Sequence, residues 1–97
     1  MAAKARKVPG LRLFVSNQLT AYDPGNIASA GGVTSTTIAM PEAIVGDLVI
    51  VTPDTVTDGA VWQGRVTAAS VVTITVTAAK ANVDQVSTNV SVAVIRP

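Results

Sequence analysis

Cysteine and histidine are both absent from this chain of 97 residues. Without cysteine there is no disulfide framework and no thiolate chemistry, and the redox compartment stays undetermined. Without histidine the usual general base and the commonest metal ligand are missing. Aromatics are reduced to Phe14, Tyr22 and Trp62. Long apolar runs are lacking too. Uninterrupted aliphatic stretches such as Leu48–Val51 span only four residues, against the roughly 20 that a membrane-spanning helix needs. The apolar run Leu13-Phe14-Val15 is likewise too short for the core of a signal peptide.

These absences leave little for catalysis. Glu42 and Asp47 are near each other, but each borders a predicted strand beside proline or glycine, where acids usually serve turns. Ser70 has no base to activate it. Asp54-Thr-Val-Thr-Asp58-Gly59 resembles the start of a calcium loop, yet Val56 and Arg65 stand where an oxygen ligand and a glutamate are needed. It reads as a polar turn. The sequence predicts no enzyme, no cofactor and no metal site.

What is present is small and β-branched. Apolar residues make up 48% of the chain and charged ones 13%, with a mean hydropathy of +0.47. Valine and threonine suit pleated strands better than helices. A chain this size buries only about 60–70% of its unfolded surface. Its apolar surplus therefore points to burial against other subunits.

Charge is unevenly spread. Lys4, Arg6, Lys7 and Arg12 fall in the first twelve residues with no acid among them, whereas the remainder has three basic residues against six acidic. Residues 1–10 read as a basic extended arm, since Pro9-Gly10 would break any helix begun by the Ala/Lys stretch. Residues 11–97 read as the β domain, with 11–32 largely extended or loop and 33–97 rich in strands.

The clearest strand is Val71–Thr77, where apolar and hydroxyl residues alternate without a break. Val72, Ile74 and Val76 share one face, and Thr73, Thr75 and Thr77 the other. Ala69-Ser70 links it to Val61–Ala68 as a hairpin, with Trp62, Gly64 and Val66 on one face. Gly64 is expected to leave room for the Trp62 ring or to mark a bulge. Leu11–Val15 reads as a short strand, Val33–Met40 as an edge strand, and Leu48–Val51 as a strand covered on both faces. Val90–Ile95 alternates again. Ala78–Thr88 reads as a connection with at most one helical turn. Five or six short strands predict an all-β antiparallel sandwich or open barrel.

Two groups of residues are candidates for binding. Lys4, Arg6, Lys7, Leu11, Arg12, Leu13 and Phe14 form an arm suited to clamping an acidic protein surface. No base-stacking pattern accompanies these charges, so nucleic acid is a weaker partner. Trp62, with Gln63 and Arg65, is a candidate for a subunit contact or for stacking on a glycan. The threonine face of 73, 75 and 77 is either solvent-exposed or packed against another subunit.

Four segments taken together carry a resemblance: Ala43-Ile-Val-Gly-Asp-Leu-Val-Ile-Val-Thr-Pro53, Val61-Trp-Gln-Gly-Arg-Val-Thr-Ala-Ala68, Val72-Thr-Ile-Thr-Val-Thr77 and Val90-Ser-Val-Ala-Val-Ile95. Residues 27–97 resemble small β domains of bacteriophage virion proteins, found in tail fibres, spikes and stand-alone capsid decoration proteins. Val51-Thr52-Pro53-Asp54 departs from the pattern, which often carries a second proline there. The resemblance implies a homotrimeric cement protein on the capsid surface, assembled in the host cytoplasm and bound to the major capsid protein. The alternative that it implies is a tail-fibre or spike adhesin that binds host glycans.

Overall fold

The computed structural model describes residues 12–96, with side chains from Val15 onward. The described residues form eight strands and no helix: β1 (Arg12–Tyr22), β2 (Gly25–Ile27), β3 (Val33–Ala39), β4 (Leu48–Pro53), β5 (Ala60–Ala68), β6 (Val71–Ala78), β7 (Val83–Gln85) and β8 (Thr88–Arg96). One sheet has the order β1-β8-β4 and another β3-β6-β5, with β2-β7 as a small third sheet. Every pairing is antiparallel. The all-β, sandwich-like architecture agrees with the sequence pattern.

The two larger sheets pack face to face through the alternation that marks each central strand. In β6, Val72, Ile74, Val76 and Ala78 are buried; in β8, Val90, Val92 and Val94 are. Ile38, Met40, Ala43 and Val66 complete that core, and Ile27, Ala60 and Val83 form a second cluster with Val76 and Ala78. Trp62 and Tyr22 touch both clusters. Truncating a side chain such as Ile74, which has no exposed surface, to alanine should cost about 2–5 kcal/mol.

The Trp62–Ala68 and Val71–Thr77 segments do form a hairpin, with Ala68 opposite Val71. Four other expectations need correction. Residues 12–22 are one long strand rather than a short strand and a loop, and Gly25–Ile27 is a strand as well. Turn residues suggested a loop there, but β1 runs along β8 and tolerates two register shifts. Val83–Gln85, expected to lie in a connection, is a strand paired with β2. The apolar run at Leu48–Val51 is half covered, since Leu48 is 53% and Ile50 49% exposed. Gly64 makes room for Val51 and Val49 rather than for the Trp62 ring: a Cβ there would lie 2.5 Å from Val51 Cγ2 and 3.0 Å from Val49 Cγ1. That gap is what lets β4 approach β5. The bulge in β5 falls later, between Val66 and Ala68.

Candidate interaction surfaces

Each large sheet turns one face to solvent, and cross-strand register decides what that face presents. On the sheet of β6, Ser35, Thr75 and Gln63 form one row and Thr37, Thr73 and Arg65 the next. The short hydroxyl side chains of β6 sit lower than Gln63 and Arg65 beside them. The result is a polar groove of about 400 Å³ lined by Ser35, Gln63, Arg65, Thr67, Thr73 and Thr75. Thr67 and Thr73 hydroxyls hydrogen-bond across it at 2.8 Å. The threonine face thus looks outward, as the alternation predicts.

The outer face of the other sheet is built alike. Gln18, Ser91 and Thr52 make one row; Ser16, Ala93 and Ile50 make the next. Small residues on the central β8 again leave a shallow hollow of about 420 Å³. Beyond it the surface turns apolar. Of the eight large hydrophobic side chains exposed among the described residues, Ile44, Val45, Leu48, Ile50 and Val56 lie in β4 or in the turns at its two ends.

One end of this strip is held by an ion pair. Arg96 Nε and Nη2 donate to the two carboxylate oxygens of Asp47 at 3.0 and 2.8 Å, and Nη2 also donates to the Glu42 carbonyl at 3.0 Å. Asp47 in turn accepts the Ile44 amide at 3.1 Å. Its side chain is only 4% exposed. The hydrogen bonds from Arg96 hold the Asp47 carboxyl below its ordinary range and raise the Arg96 guanidinium above its own. Asp47 and Glu42 therefore serve a turn. At the other end of the molecule Lys80 Nζ meets Asp58 at 2.6 Å, and this contact lowers the Asp58 pKa. Both groups of that pair are largely solvent-exposed, so it contributes little to stability.

The structure separates the residues that the sequence grouped around Trp62. Gln63 and Arg65 are exposed on the outer face, whereas Trp62 lies on the inner one. Its indole meets the Tyr22 ring edge-on, with centroids 6.0 Å apart and planes at 77°. Its N–H points to Gln85 Oε1 at 3.4 Å. Lys4, Arg6, Lys7 and Leu11 lie outside the described residues. The backbone of Arg12 and Leu13 opens β1, opposite Arg96 and Ile95, and Phe14 follows where the register first shifts.

No family model, curated protein or solved structure matches this chain. The surfaces themselves are the remaining guide to function.

Several ordering residues gave no signal in the sequence. Gln85 is fully buried in a stretch without periodicity. Asn17 donates to the Ala39 carbonyl at 2.9 Å and joins β1 to β3. Asn89 Oδ1 accepts the amide of Ala21 at 2.9 Å, at a residue whose φ is +51°. These are side-chain-to-backbone bonds across the fold, which a one-dimensional pattern does not encode.

Proposed function

We propose that this chain is a structural protein that acts by binding other protein surfaces, and that it decorates a phage capsid. The observation that supports this reading is the distribution of exposed apolar side chains: five of the eight large ones among the described residues gather along β4 and its flanking turns. Such clustering marks protein contacts more than it marks a small-molecule cleft. The two surface hollows are shallow and lie on flat sheet faces. The capsid, as the particular partner, comes from the resemblance of residues 27–97 to virion β domains. In this role the basic residues Lys4, Arg6, Lys7 and Arg12 grip an acidic capsid surface while the β domain spans neighbouring capsid subunits.

The glycan-binding alternative gains no support from Trp62, whose ring is engaged with Tyr22 and Gln85 on the inner face. The test is direct. Particles of the phage that encodes the chain are labelled with antibody against it, and heads lacking it are heated beside complete ones. Labelled heads and earlier rupture of the depleted ones are expected. Label confined to tails, or heads indifferent to its loss, would sink the reading.

A further inference from the structure

We infer that β4 is the seam of a two-fold dimer, in which the strand pairs antiparallel with its own copy about an axis at Ile50. This inference stands on the fold alone and does not depend on the capsid reading.

The four edge strands of the two large sheets are not alike. β1 has two register shifts, and Asn17 ties it to β3. β3 exposes Val33 but otherwise Ser35 and Thr37, and its Ala39 carbonyl is taken by Asn17 of β1. β5 has Arg65, the Gly64 gap and a bulge after Val66. These features blunt edge-to-edge pairing. β4 has no charge, no bulge and no glycine between Leu48 and Pro53, and it pairs on one side only, with β8.

Register follows from which groups are free. The Asp54 amide donates to the Asn89 carbonyl, towards β8. By alternation the amides and carbonyls of Val49 and Val51 face the open edge. Pro53 also faces it but has no N–H, so it ends the run. The antiparallel alignment that uses all four free amides of two copies sets Val49 against the partner's Val51, and Val51 against the partner's Val49. Ile50 then faces its own copy as a non-hydrogen-bonded pair, and Leu48 meets the partner's Thr52.

The same alignment satisfies charge and apolar area. Asp47 falls opposite the partner's Pro53, and Asp54 opposite the partner's Gly46, so no acid meets an acid. Parallel pairing would set Asp47 beside its copy and Asp54 beside its copy. Ile44 and Val45, at 51% and 67% exposure, come to the same end as the partner's Val56, at 56%. Five of the eight exposed large hydrophobics therefore gather at one seam. The three-stranded sheet becomes six-stranded, and an isologous contact of this kind closes at two copies.

The absence of native cysteine makes the test clean. In a non-hydrogen-bonded antiparallel pair the Cα atoms lie about 4.5 Å apart, within disulfide range. Sedimentation of the intact chain should give twice its 9.8 kDa mass. Under mild oxidation Ile50→Cys should cross-link about tenfold faster than Leu48→Cys or Thr52→Cys, whose cross-strand neighbour is a different residue. Ile50→Lys should yield a folded monomer with an unchanged circular dichroism spectrum, and mixing it with Ile50→Glu should restore the dimer. A monomer at all micromolar concentrations, a trimer, or equal cross-linking at residues 48, 50 and 52 would overturn the seam. A monomer that still binds phage heads would overturn the seam and leave capsid decoration standing.

Discussion

Gln85 lies beneath Trp62 with no exposed surface, and its Oε1 accepts both the indole N–H at 3.4 Å and the Thr57 amide at 2.9 Å. Its Nε2 donates to the carbonyls of Thr55 and Val86, each at 2.9 Å. One side-chain amide thereby uses its full capacity of two accepted and two donated bonds. It fixes the loop between β4 and β5 to the body of the domain.

Gln85→Leu should be among the most damaging single substitutions. It leaves the Thr57 amide and two carbonyls unpaired in a part-buried site, a loss of about 3 kcal/mol. Urea unfolding followed by Trp62 fluorescence would measure it, and the emission of the folded variant should also shift.

Gly64→Ala should destabilise by about 1–3 kcal/mol through overpacking against Val51 and Val49. Combining it with Val51→Ala should recover part of that loss. Strict additivity in the double-mutant cycle would show that β4 and β5 are not in contact there.

Ser70 has a φ of +61° at the tip of the β5–β6 hairpin. Its amide donates to the Ala43 carbonyl at 2.8 Å, and its carbonyl accepts the Met40 amide at 3.0 Å, so the tip cannot relax alone. Ser70→Gly should raise stability by up to about 1 kcal/mol, because glycine meets no Cβ penalty in the left-handed region. Thermal unfolding reads the gain; an equal or lower midpoint would count against it.

Acid should weaken the fold through Asp47. Folding lowers its pKa by way of Arg96, so the stability it provides is present above the ordinary carboxylate value of about 4 and fades as pH falls through the lowered value. Asp47→Asn should be less stable at neutral pH and lose less on acidification. Urea midpoints at neutral and acid pH would test this.

Alkali should act through Tyr22, whose pKa is raised first by burial and then by the charge of Asp23. Stability from this group holds below about 10 and declines as pH rises through the raised value. The Tyr22 hydroxyl is buried without a hydrogen-bond partner among the described residues. Tyr22→Phe should therefore cost nothing at neutral pH and flatten the alkaline fall. A marked loss at neutral pH would reveal a partner for the hydroxyl.

The sequence was most legible where one face is core and the other is water. Val71–Thr77 and Val90–Ile95 alternate because each is the central strand of its sheet and has a solvent face. β1 was obscured because a bulged edge strand shifts its period, and Ala21, with a positive φ, sits inside it. β4 misled in the other direction: its run of four aliphatics suggested full cover, whereas two of them face solvent. Grouping Trp62 with Gln63 and Arg65 followed the chain, but successive strand residues point to opposite faces. The buried amide of Gln85 had no one-dimensional signature, since its partners come from three separate segments.

β8 is the middle strand of its sheet, flanked by β1 on one side and β4 on the other. During synthesis, then, neither neighbour has its pairing partner until residues 88–96 have left the ribosome. β1 waits through almost the whole translation of the domain, and the apolar strip of β4 through its second half. The hairpin of β5 and β6 can form early, but half of the sandwich is closed by its last strand, as a zipper is by its slider. Nascent chains stalled before residue 88 should accordingly be the species most in need of chaperones.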